Sequence, residues 1–73
     1  MQNIIDKLMT FENITSVENE FINRQYDYFY ITFSHCITVK AKIDMIALQE
    51  FERPEVIIYA IAKIIVLREL NKM

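Results

Sequence analysis

Residues 26–43 read YDYFYITFSHCITVKAKI, and their alternation decides the fold. Two runs rich in Tyr, Phe, Ile, Val and Thr, each with a period of two, flank Ser34-His35-Cys36, which is the pattern of a β-hairpin. In the first run Phe29, Ile31 and Phe33 share one face, and Tyr26, Tyr28, Tyr30 and Thr32 share the other. In the second, Ile37, Val39, Ala41 and Ile43 alternate with Thr38, Lys40 and Lys42. Residues directly opposed across a ladder point to the same side, so Phe33 must pair with Ile37, leaving a three-residue loop. Such a loop ordinarily places one residue in the left-handed region, and the chain has no glycine to put there.

Toward the N-terminus the same alternation predicts a further strand over about 16–22, joined by Asn23-Arg24-Gln25 to the strand at 26–33, with the last strand at 37–43. An odd turn sets Ile22 against Tyr26, Glu20 against Tyr28 and Glu18 against Tyr30. The outer face then carries two rows, Glu20–Tyr28–Lys42 and Glu18–Tyr30–Lys40, with neighbours worth ~0.2–1 kcal/mol per favourable pair. Val17, Phe21, Phe29, Ile31, Phe33, Ile37, Val39 and Ile43 form the expected inner face. Before the strands, Ile4, Ile5, Leu8 and Met9 recur at helical spacing and predict a short amphipathic helix over 2–11.

After the strands, Asp44 is placed to cap a short helix over 45–51. Arg53 precedes proline and is biased away from helical angles, while Pro54 suits a first helical position, so a long helix follows over 54–71. The expected architecture is a single α+β domain over 1–73, in order α-β-β-β-α-α, with a three-stranded antiparallel meander packed against the long C-terminal helix. That helix contains VIIYAIAKIIVL, residues 56–67, apolar on every side except at Lys63. A surface helix normally buries one stripe and wets the rest. A chain of 73 residues buries only ~60–65% of its unfolded surface and has little else to cover a helix of this kind. The cover is expected to be a second copy of the chain or another protein.

Hydrophobic residues make up 53% of the chain and charged residues 25%, which is a globular composition. A net charge of −2 opposes strong non-specific attraction to phosphates. One cysteine, Cys36, forms no intramolecular disulfide, and with no basic-then-apolar leader at the N-terminus the expected location is the cytoplasm. The twelve-residue apolar run is shorter than the ~20 residues a membrane span needs.

The absence of glycine excludes phosphate-cradling loops of the Walker and dinucleotide types. One His and one Cys cannot build the common structural zinc sites, and no cofactor is implied. His35 and Cys36, neighbours in a turn, lack a third group to orient the imidazole as a general base. Glu18 and Glu20 stand ~7 Å apart on one strand face, but a flat, wet sheet does not tune carboxylates for acid and base work. No enzymatic activity is expected.

Two surfaces remain as binding candidates. Tyr26, Tyr28 and Tyr30 interleaved with Lys40 and Lys42 resemble in composition a stacking platform for single-stranded nucleic acid, and equally an aromatic protein interface. The acidic balance and the nearby Glu18 and Glu20 favour protein. On the long helix, Ile57, Ile61 and Ile64 are the expected partner-binding residues. The expectation is thus a small non-enzymatic protein that forms a homodimer and modulates or inhibits a further, unidentified protein. The alternatives are single-stranded nucleic-acid binding through the Tyr/Lys face, or a structural subunit of a larger assembly.

Overall fold

The computed structural model describes residues 2–72. Helix α1 spans Gln2–Leu8, strands β1, β2 and β3 span Ile14–Phe21, Tyr26–Phe33 and Thr38–Asp44, a 3-10 turn covers Ala47–Glu50, and helix α2 spans Pro54–Leu70. The strands form one antiparallel sheet in the order β1-β2-β3, and the architecture is the expected α+β meander with its helices packed on one face.

The hairpin register is the one parity required. Phe33 donates its N–H to the Ile37 carbonyl at 2.8 Å, and Ile31, Tyr30, Phe29 and Tyr28 oppose Val39, Lys40, Ala41 and Lys42. The loop obtains its left-handed residue without glycine: Cys36 sits at φ 69°. The β1–β2 loop uses a side chain instead. The Asn23 Oδ1 accepts from the N–H groups of Gln25 and Tyr26, at 2.8 and 2.9 Å, imitating a backbone turn.

Strand β1 departs from plain alternation. Its ladder runs Ile14↔Phe33 and then Ser16↔Thr32, leaving Thr15 as a bulge. The extra residue turns both Ile14 and Val17, three apart, toward the core, so β1 begins two residues earlier than its period-two pattern indicates. Helix α1 is shorter than expected: Thr10 bonds back to the Lys7 carbonyl through both its N–H and its hydroxyl and closes the last turn.

The core comprises Ile4 and Leu8 of α1, Ile14 and Val17 of β1, Phe29, Ile31 and Phe33 of β2, Ala41 and Ile43 of β3, Leu48 of the 3-10 turn, and Ile58, Ala62 and Val66 of α2. Two residues expected inside are outside. Phe21 is 70% exposed because β1 ends there, on an edge that the seven-residue α1 does not reach. Ile37 is 44% exposed because it lies in the loop just ahead of β3, beyond the helices' cover.

Helix α2 starts at Pro54 after an extended Arg53, as its sequence requires. It packs through Ile58, Ala62 and Val66, spaced four apart, rather than through the Ile57–Ile61–Ile64 or Ile58–Ile61–Ile65 lines that the sequence equally allowed. Ala62 on the helix and Ala41 on β3 are both fully buried; small residues on the helix and on the sheet let the two layers approach closely. Among the described residues no helix is long and apolar enough to cross a membrane.

Candidate functional site

The outer sheet face carries Tyr26, Tyr28 and Tyr30 from β2, Lys40 and Lys42 from β3, and Glu18 and Glu20 from β1, opposed in the two expected rows. The side chains do not contact straight across the rows. The Lys40 Nζ lies 4.6 Å from the centre of the Tyr28 ring, and the Lys42 Nζ lies 4.0 Å from that of Tyr26. On the other side of β2, Tyr30 donates its hydroxyl to Glu20 Oε1 at 2.9 Å. Each contact reaches a diagonal neighbour, a separation that long side chains span readily.

The consequence is a face whose polar groups answer one another. Tyr28 and Tyr30 meet edge to face at 6.2 Å, and each lysine covers a tyrosine, at ~0.5–1 kcal/mol for an exposed cation–π pair. The hydrogen bond to Glu20, then burial, then the negative charges of Glu20 and Tyr28 raise the Tyr30 hydroxyl above its ordinary value, so it stays protonated and donating across the physiological range.

The outer side of α2 is different in kind. Val56, Ala60, Ile64 and Leu67 fall at successive helical offsets of four, four and three, all exposed; Val56 is 52%, Ile64 63% and Leu67 45% accessible. Lys63 flanks this row on one side and Arg68 on the other. Of the three expected partner-binding residues, Ile64 lies at the middle of this row. Ile57 and Ile61 are half-buried and pack against the core along one flank. Val56 and Leu67, which the sequence did not single out, complete the row. The signal for them was present in the unbroken apolar run, but which third of the helix faces outward is set by the sheet.

At the hairpin end, His35 Nε2 stands 3.7 Å from Glu69 Oε1, and Lys72 Nζ 3.6 Å from Glu69 Oε2, tying the β2–β3 loop to the end of α2. The His35 ring also leans on Phe33 at 5.6 Å. This engages the imidazole structurally. Among the described residues no group of three His, Cys, Asp or Glu side chains assembles where a metal could sit, and no cavity is present. What the molecule offers is two open surfaces, one internally paired and one bare. Compared with protein-family models, with curated proteins and with solved structures, the chain returns no match.

Proposed function

We propose that this chain is a non-enzymatic protein-binding module that associates through the outward row of α2, first with a second copy of itself, and that in this form it modulates or inhibits a further protein. The observation that carries the reading is the exposed Val56–Ala60–Ile64–Leu67 row on a helix whose opposite side already fills the core. Exposed apolar rows of this kind mark interaction surfaces in small domains. A copy of the same chain is a ready occupant, because two such rows related by a two-fold axis present identical aliphatic surfaces and place the small Ala60 among larger side chains.

The test is sedimentation equilibrium at micromolar concentration. The wild-type chain is expected at twice its 8.8 kDa mass, and Ile64→Lys at the mass of one chain with its circular dichroism unchanged. A wild-type chain that stays single at tens of micromolar removes the self-association.

The Tyr/Lys face supports a second reading, single-stranded nucleic-acid binding. It is the weaker one, because Lys40 and Lys42 lie against the tyrosine rings on which bases would stack. Binding of that kind would fall steeply with added salt and with Lys40→Glu and Lys42→Glu. An affinity for oligonucleotides that is flat in salt removes it.

A further inference from the structure

At the end of the covered face nearest the β1–β2 turn, the last row across the sheet is Phe21, Asp27 and Ile43. Ile43 is sealed, Phe21 is the most exposed large apolar side chain, and Asp27 between them is only 8% exposed. Among the described residues no hydrogen bond or ion pair reaches the Asp27 carboxylate. No fully enclosed side-chain nitrogen or oxygen among those residues lacks a partner, so the unbonded Asp27 oxygens keep a narrow contact with water. The opening is shallow, because no cavity is present.

A carboxylate in the inner row of a sheet, with apolar residues at the next inward positions and no donor, is an unfavourable choice for folding alone; Val, Ile or Thr would serve better there. Beside it stands an aromatic ring left in water. An anionic oxygen pair and a neighbouring π face are the two halves of a cation receptor. A planar guanidinium satisfies both at once, bonding the carboxylate with its edge while its face lies on the ring. A shallow opening suits a single group projecting from a larger molecule better than a free small ligand.

We propose that Asp27 and Phe21 form a receptor for an arginine side chain presented by a partner protein. The site is at the sheet end rather than on α2, so this proposal and the α2 reading stand or fall separately.

The experiment titrates the isotope-labelled full chain with N-acetyl-arginine amide, and with N-acetyl-citrulline amide as its neutral isostere, following the amide signals of Phe21 and Asp27. Arginine amide is expected to shift both signals saturably and citrulline amide to leave them in place. Asp27→Asn is expected to melt at or above the wild-type temperature and to bind arginine amide about tenfold more weakly. Phe21→Leu, at so exposed a position, should melt with the wild type and bind about threefold more weakly. A lowered melting temperature for Asp27→Asn would give the carboxylate a partner inside the fold and overturn the proposal. Equal shifts from citrulline amide, or no saturable shift from arginine amide, would overturn it as well.

Discussion

Cys36 shows how a requirement can be legible while its solution is not. Parity of the hairpin demands a three-residue loop, and the loop demands a left-handed residue, but nothing in Ser34-His35-Cys36 announces which of the three takes it. Cys36 does, at φ 69°, where its Cβ crowds the following carbonyl. Glycine relieves that crowding and gives back part of the gain through its looser unfolded chain. Cys36→Gly is therefore expected to stabilise the fold by about 0.5–1 kcal/mol, a rise of roughly 2–8 °C in a thermal melt. An unchanged or lower melting temperature would mean that the cysteine side chain supports the loop in a way its exposure does not suggest. Asp44 is the opposite case, a cap correctly read from its place before Met45. Its Oδ1 accepts from the N–H groups of Ile46 and Ala47, both at 3.1 Å, and its Oδ2 from the Gln25 amide at 3.3 Å. The Ala47 N–H is the largest influence, opposed by burial and aided by Gln25, Ile46 and the Lys42 charge, and together they hold the carboxyl below its ordinary range. A folded value below the unfolded one stabilises at pH above the unfolded carboxylate range, and the contribution is lost as pH falls through the folded value. Melting curves from neutral to acid pH should show the wild type losing stability faster than Asp44→Asn, with the two converging at the acid end.

At the scale of elements, the strands and α2 were legible because period-two alternation and an Arg-Pro boundary are strong local signals, whereas the facing of α2 was not. Its apolar residues surround the axis, so periodicity cannot orient it; the sheet does, by admitting the small Ala62 between Ile58 and Val66. The bulge at Thr15 was hidden for a related reason, since Ile14 and Val17 share a face only once an extra residue has been inserted into β1. Substitutions distinguish the two sides of the helix. Ile58→Ala removes a fully buried side chain and should cost about 2–5 kcal/mol, and Ala62→Leu about 1–3 kcal/mol through overpacking. Ile64→Ala, measured at concentrations too low for association, should remain within about 0.5 kcal/mol of wild type. Denaturant unfolding of the three variants checks the orientation directly. A large loss at Ile64 in the single chain, together with a small one at Ala62, would turn the helix by half a revolution.

For the whole molecule, the question is whether bare aliphatic surface reflects loose packing or surplus. The accessible surface is 5005 Å², close to the ~4800 Å² of an ordinary monomer of 8.8 kDa. The chain has therefore packed what a body of its size can pack, and the exposed row on α2 is surplus. Its sheet gives no relief, because the outer face is occupied by lysine–tyrosine pairs and the inner one is filled by Ile58, Ala62 and Val66 from the same helix. A surplus of this kind couples stability to concentration if a second copy covers it. Unfolding a dimer to two free chains gains about 1.4 kcal/mol in stability for each tenfold rise in protein, spread over the entropy of unfolding two 73-residue chains. That amounts to an increase of about 4 °C in melting temperature per tenfold concentration. Differential scanning calorimetry across two decades of concentration reads this slope without any assumption about where the copies touch. Ile64→Lys should flatten it while leaving the melt of the dilute protein close to that of the wild type, because the same side chain that would meet the partner contributes little to the single chain. A flat wild-type slope would leave the aliphatic row to a different protein and take the second copy out of the mechanism.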